Sequence, residues 1–182
     1  MGGSTTLGGS GAGTNGGPAD GRVDREAGFW DEHALPLAEC LALVAAGPAP
    51  NTAALLDAVE PLAGRRVLDF ACGSGLTVAW LAQRGAEVVG VDVSPTSVER
   101  ADEVAKALGL DVDVRVIDGP GADLGLFDAM VGRFALHHVD LAAYAPWLAG
   151  LLKPGAPAAF LETVSTNPVL AVSRRALPGR FG

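Results

Sequence analysis

From residue 22 onward, apolar positions recur in two alternating rhythms. Five compact runs, Arg65–Ala71, Ala86–Val93, Asp111–Ile117, Phe127–Val131 and Ala156–Val164, are rich in Val, Leu, Ile, Ala and Phe. Runs of that length and composition predict strands, and the first, Arg65–Ala71, reads as one buried on both faces. Between them, apolar residues return every three or four positions, the spacing of a helix with one buried face. Val78, Leu81 and Ala82 mark a helix over 76–84, stopped by Gly85. Val98, Ala101, Val104, Ala105 and Leu108 mark another that ends at Gly109. Ser94-Pro95 opens that second helix, because a serine oxygen caps the first turn and a proline lacks only an N–H that the turn does not use. A third helix is predicted over Leu141–Leu152, ended by Lys153-Pro154-Gly155. Before the first strand, residues 22–46 read as helical through Trp30, Leu37, Leu41 and Val44, and Asn51 is expected to cap a short helix, Thr52–Leu62.

Strand and helix alternating through short connections predict an α/β fold, a three-layer Rossmann-like sandwich with a mainly parallel sheet. In such sheets ligands bind beyond the carboxyl ends of the strands. Chemistry is therefore expected at residues 69–75, 92–95, 118–120, 132–138 and 162–168.

Composition narrows the function classes. The chain has 182 residues, is 49% hydrophobic and 19% charged, and has a formal net charge of −8. Nine of its 25 glycines fall within residues 1–21, which read as a flexible tail without the basic and apolar blocks of a secretory signal. No uncharged apolar run reaches the roughly 18 residues that a membrane span requires. The 13 basic residues are scattered, so nucleic acid is not an expected partner. Cys40 and Cys72 form no paired motif, which makes a disulfide framework or a zinc site unexpected. A cytoplasmic location and no metal follow as expectations.

Polar residues that interrupt the strand pattern carry the chemical signal. Asp69 sits inside the first strand, where a carboxylate must be paired or must face a ligand; it could also accept backbone N–H groups from the next loop. Gly73 and Gly75 follow, just ahead of a helix N-terminus, where a backbone can approach a ligand closely. Asp92 ends the second strand and is positioned to accept the two hydroxyls of a ribose; its structural alternative is support of the helix that begins near Ser94. A dinucleotide fingerprint would need a third glycine where Val78 stands, and Asp69 would repel a pyrophosphate. No Gly-Lys pair exists, which excludes a P-loop. S-adenosylmethionine fits better: it has no phosphate, and it offers a ribose diol, an ammonium and a sulfonium.

VLDFACGSG, Val67 to Gly75, resembles the first signature of the class I S-adenosylmethionine-dependent methyltransferases. Further matches follow in the family's order: Val88–Ala101, Asp118, Phe127–Val139 and Leu151–Glu162. The resemblance implies that Asp69, Gly73 and Gly75 line the methionine part of the cofactor, with Ala71 standing where the family usually has its first glycine. It implies that Asp92 binds the ribose, that Val93 packs on the adenine, and that Asp118 with Gly119 binds the adenine amino edge. Arg133 and Phe134 would lie near the methyl group and the substrate. The family sheet normally finishes with two further strands; here strands one to five are present and the last strand pair is missing. On this reading residues 22–64 are a helical cap, 65–164 the cofactor-binding core, and 165–182 the truncated start of a helical segment. The expected partner is a small-molecule methyl acceptor, and an exposed sheet edge would favour a homodimer.

His137 and His138 are candidate general bases for the acceptor. A Leu-His-His turn at this place also fits a structural role. Trp30, Phe29 and Tyr144 are candidate pocket aromatics whose alternative is core packing. Cys72 is expected to be a packed residue rather than a nucleophile. Two other functions remain open: a truncated, non-catalytic cofactor-binding domain, and, opposed by Val78 and Asp69, an NAD(P)-dependent oxidoreductase.

Overall fold

The computed structural model describes residues 21–163. Its elements in chain order are α1 (Gly21–His33), α2 (Leu37–Ala46), α3 (Pro50–Asp57), β1 (Arg66–Phe70), α4 (Leu76–Gln83), β2 (Glu87–Asp92), α5 (Pro95–Leu108), β3 (Asp113–Val116), β4 (Ala129–Arg133), α6 (Leu141–Gly150) and β5 (Ala158–Leu161), with a 3-10 turn at Leu136–His138. The strands form one sheet in the order β3-β2-β1-β4-β5, and every pairing is parallel. The three-layer α/β fold expected from the sequence is the fold observed.

Strand alternation divides the core between the two sheet faces. Val67, Val88, Ala129 and Val131 pack with Leu56 of α3, Val78 and Leu81 of α4 and Val104 of α5. Leu68, Phe70, Val89, Val91 and Met130 pack against Phe127 and against Tyr144 and Leu148 of α6. Each large side chain fully buried in these layers contributes about 1.5–3 kcal/mol by leaving water. Helix α4 lies close to the sheet because β2 carries Gly90, where an added Cβ would fall 2.9 Å from Val78 Cγ2. Val78 therefore occupies the seam where a dinucleotide fingerprint would have its third glycine.

The N-terminal segment departs from the expected single stretch. Pro36 splits it, standing as the N-cap of α2 and ending α1 upstream. Helix α3 starts at Pro50, whose fixed φ suits a first helical position, and not behind Asn51; the Asn51 amide oxygen instead takes the adjacent Thr52 N–H at 2.8 Å. It also ends at Asp57, well before Leu62, since Pro61 cannot continue a helix and disfavours helical backbone at Glu60. The expected tail gives way at Gly21, the first residue of α1. Strands β3 and β5 are shorter than their apolar runs; Val164 and the segment 165–182 lie outside the described residues, as does the tail through residue 20. Strand β4 runs on to Arg133, and Phe127 lies before it in an isolated bridge to Leu152.

Helices α2 and α3 belong to a sheet face, whereas α1 contributes Val23, Glu26, Trp30 and His33 to a cavity at the carboxyl ends of the strands. Among the described residues no helix is long and apolar enough to cross a membrane.

Candidate functional site

The cavity has a volume of about 690 Å³, ample for a nucleoside with an attached amino acid and part of an acceptor. Four loops after strands build it, as the Rossmann-like pattern requires: the turn after β1, the β2–α5 junction, residues 117–120 after β3, and residues 133–140 after β4. Of the fifth expected region, 162–168, only Glu162 and Thr163 are described, and neither lines the cavity; Glu162 accepts the Ala135 and Leu136 N–H groups of the β4 loop, and residues 164–168 lie outside the described residues.

Asp92 is the organising residue. It is 8% exposed and lines the cavity. Its Oδ2 accepts the Gly73 N–H at 2.8 Å, and its Oδ1 accepts the Ser94 N–H at 3.0 Å. One carboxylate thus locks the glycine turn to the start of α5 and keeps lone pairs for further donors. Burial pushes its carboxyl upward, against the pull of the backbone N–H groups of Ser94, Gly73 and Val93. Ser94 caps α5 by accepting the Ser97 N–H, as its place before Pro95 implies. Its hydroxyl donates in turn to Asp31 of α1 at 2.6 Å, and Asp31 also accepts the Thr96 N–H at 3.1 Å. Helix α1 is pinned to the cavity rim by that carboxylate, and the Leu35 N–H donates to Ser74 Oγ of the glycine turn at 3.2 Å.

The two glycines of the turn serve different ends. Gly73 borders the cavity, and a Cβ built there meets nothing within 4 Å. Gly75, at φ 83°, is the N-cap of α4, and a Cβ there would fall 2.8 Å from Ala101 Cα. It is a packing glycine between α4 and α5, and is not among the lining residues. Ala71 lines the cavity at φ 59°, in the left-handed region where a side chain costs about 1–2 kcal/mol. Ala71→Gly is expected to remove that strain, less the larger entropy a glycine loses on folding. A net gain of about 0.5–1 kcal/mol should raise the melting temperature by about 1–4 °C. An unchanged or lower midpoint in ligand-free thermal melts would contradict it.

Asp69 is not among the lining residues. It is 1% exposed in the middle of the sheet, beside Gly90 and Val131, and its Oδ2 has no hydrogen-bond partner. Burial pushes its carboxyl up to about 7; the Arg133 charge lowers it and the Asp92 charge raises it. Arg133 does line the cavity, with its guanidinium 6.0 Å from the Trp80 ring and 5.9 Å from the Phe134 ring. Phe134 lines it too, at φ 58° and 39% exposed, a strained backbone for a bulky residue. Burial and the neighbouring Asp69 and Asp92 charges push the Cys72 thiol well up, which keeps it an unreactive neutral group.

Val93, Asp118 and Gly119 line the cavity together with Asp92. The two histidines separate. His138 lines the cavity, whereas His137 does not; its Nδ1 lies 2.7 Å from Glu162 Oε2. Glu162 Oε1 accepts the N–H groups of Ala135 and Leu136 at 2.9 Å each, so His137 and Glu162 brace the β4 loop. Of the aromatics, Trp30 and Tyr144 line the cavity, while Phe29 is 45% exposed and stacks on His33.

Glu26 and Asp31 are the functional candidates that sequence reasoning misses. Both sit on a helix with many charged residues, where a carboxylate reads as solvated face. Among the described residues no group of three or more His, Cys, Asp or Glu is placed to hold a metal ion.

Residues 67–155 match the model of a methyltransferase domain family. The chain is 37% identical over 101 residues to a ubiquinone biosynthesis O-methyltransferase of Methylocella silvestris, covering 54% of this chain and 40% of that protein. It is 38% identical over 118 residues to an uncharacterized methyltransferase of Mycobacterium tuberculosis, covering 63% of this chain and 58% of that one. Among solved structures, a methyltransferase from Thiobacillus denitrificans in complex with S-adenosyl-L-homocysteine superposes with a TM-score of 0.57 at 26% identity, covering 70% of this chain and 55% of that one. The chain thus spans about half the length of these relatives.

Proposed function

Because residues 67–155 are a methyltransferase domain of the class I S-adenosylmethionine-dependent family, we propose that this chain binds S-adenosylmethionine in the cavity and transfers its methyl group to the oxygen of a small molecule. The observation that carries the reading is the Asp92 carboxylate, which borders the cavity while bonding to the glycine turn on one side and to the start of α5 on the other.

The residues present fit the cofactor. Its acidic neighbours, Asp92 and Asp118 on the wall and Asp69 behind it, suit a ribose diol and a cationic amino acid and oppose a pyrophosphate. In this proposal Asp92 holds the ribose, Val93 supports the adenine, and Asp118 and Gly119 meet its amino edge. Gly73 and Ala71 border the methionine portion, and Asp69 supplies negative potential from beneath. Arg133 and Phe134 face the reacting end. The bound cofactor supplies a methyl group on a sulfonium, open to in-line displacement. The chain's contribution is alignment and exclusion of water, to which the apolar lining and helix α1 both lend themselves. An oxygen acceptor is supported by the O-methyltransferases among the relatives and by the His138 ring, a proton acceptor within the cavity.

A cytoplasmic location belongs to the same proposal and is supported by the two buried free cysteines. A homodimer through the edge strand β5 also belongs to it; among the described residues β5 pairs only with β4.

Saturating S-adenosylhomocysteine is expected to stabilise the protein by about 2.7 kcal/mol at 100 times its dissociation constant, a rise of about 5–10 °C in the melting temperature. Labelled-methyl transfer to a panel of phenols, alcohols, amines and carbon acids then reads the acceptor atom. Folded protein with no thermal response to S-adenosylhomocysteine overturns the reading. Binding without transfer across the panel favours a non-catalytic cofactor-binding domain.

A further inference from the structure

His138 is held by a residue from a distant part of the chain. Its Nδ1 lies 3.0 Å from Glu26 Oε2, and both side chains are close to 30% exposed. Glu26 comes from α1, and both residues line the cavity. Trp30, one turn along the same helix, sets its ring edge-on to His138 at 5.7 Å. On the far side the His137 ring lies 4.0 Å away, itself tied to Glu162. The charged and titratable groups around His138 are thus Glu26 from α1 and His137 with Glu162 from the β4 and β5 ends.

The Glu26 carboxylate carries negative charge 3.0 Å from His138 Nδ1 and has no proton to offer, so it favours the ring proton on that nitrogen. The neutral His138 ring is then the Nδ1–H tautomer, which leaves the lone pair on Nε2. The geometry points to Glu26 as the positioning residue of a His138–Glu26 pair that takes the proton of a weakly acidic hydroxyl, a phenol, as the methyl group arrives. This rests on the methyltransferase reading above. The phenolic oxygen forms its bond to the methyl carbon while the carbon–sulfur bond breaks, and the sulfur keeps that electron pair. The hydroxyl proton moves to His138 Nε2. The imidazolium so formed is stabilised by the Glu26 carboxylate, and S-adenosylhomocysteine leaves neutral at sulfur. Phenols suit this pair because their pKa, near 10, lies close enough to imidazole for transfer within the displacement. The aromatic rings of Trp30, Phe134 and Tyr144 around the cavity suit a flat ring.

Helix α1 then has a chemical task besides covering. It brings Glu26 to His138 at the same time as Asp31 clasps Ser94 and Thr96, so the base is completed only when α1 is docked.

Two measurements test the pair. Nitrogen-15 spectra of the imidazole rings of the full chain, with His138→Gln assigning the signal among three histidines, are expected to show His138 as the Nδ1–H tautomer. They should show a shift toward Nε2–H in Glu26→Ala. An Nε2–H ring in the wild type overturns the proposal, and this readout needs neither cofactor nor acceptor. In turnover with S-adenosylmethionine and catechol or another phenol that the panel shows to be methylated, His138→Gln should lower kcat by about 10²–10⁴-fold. Glu26→Gln keeps an acceptor for Nδ1–H but not the charge. It should lower kcat about tenfold. Its affinity for S-adenosylhomocysteine should stay within threefold of wild type. Glu26→Gln with wild-type kcat refutes the pair while leaving the methyltransferase reading intact. Loss of S-adenosylhomocysteine binding by the wild type would instead strike that reading itself.

Discussion

Asp92→Ala is expected to weaken S-adenosylhomocysteine binding by at least ~100-fold, measured by calorimetry well below the melting temperature. The ribose of the proposed cofactor offers two hydroxyls, and a hydrogen bond from each to a carboxylate contributes about 1.5–3 kcal/mol, so losing both corresponds to about 10²–10⁴ in affinity. The same substitution strips the Gly73 and Ser94 N–H groups of their acceptor, at about 1–3 kcal/mol for each buried donor left unsatisfied. The variant should therefore also melt earlier without ligand, and two effects would be mixed. Asp92→Asn separates them. Its amide oxygen satisfies one backbone donor, so more of the fold is kept, while the amide nitrogen cannot accept from a ribose. A folded Asp92→Asn protein that binds S-adenosylhomocysteine within threefold of wild type removes the carboxylate from the cofactor site.

The residues after β1 and β2 were legible because their chemistry conflicts with their surroundings. A carboxylate at the end of an apolar strand and glycines before a helix stand out against the pattern. Helix α5 was legible end to end, since Ser94-Pro95 and Gly109 are local signals and its apolar stripe is regular. What stayed hidden depends on contacts far along the chain. Glu26 meets His138, Asp31 meets Ser94, and Glu162 meets Leu136, all across tertiary distances. Nothing in the local pattern around Glu26 distinguishes it from Glu32 on the same helix, which lines no cavity. Gly73 and Gly75 look alike in sequence, yet one borders the cavity and the other packs on Ala101. His137 and His138 are neighbours in sequence and point to different carboxylates. The N-terminal helix boundaries were misread for a local reason: three prolines, at 36, 50 and 61, start and stop backbone more strongly than the apolar spacing suggests.

Asp69→Asn should stabilise the protein at alkaline pH and weaken cofactor binding together. The Asp69 carboxyl is pushed from its ordinary 3.8 to about 7 by burial. A folded-state pKa above the unfolded value means that the folded protein holds the proton more tightly. The stability this contributes is complete below pH 4 and is lost as pH rises from about 4 through 7. The difference is on the order of 4 kcal/mol across that window. Asparagine has the shape of the protonated acid and no charge to bury, so Asp69→Asn should melt like the wild type near pH 4 and clearly higher at pH 8. Its melting temperature should lack the wild-type decline between those limits. The charge that destabilises the empty protein is the one that favours a cationic amino acid above it, so S-adenosylhomocysteine affinity should fall about tenfold in the variant at pH 8. Binding to the wild type should tighten as pH rises through 7 and release protons, read by calorimetry in buffers of different ionisation enthalpy. A variant with the wild-type pH slope in its melting temperature would place the titration elsewhere. A variant that binds as tightly as the wild type, with the same proton release, would leave Asp69 a buried strain of the sheet without a part in cofactor recognition.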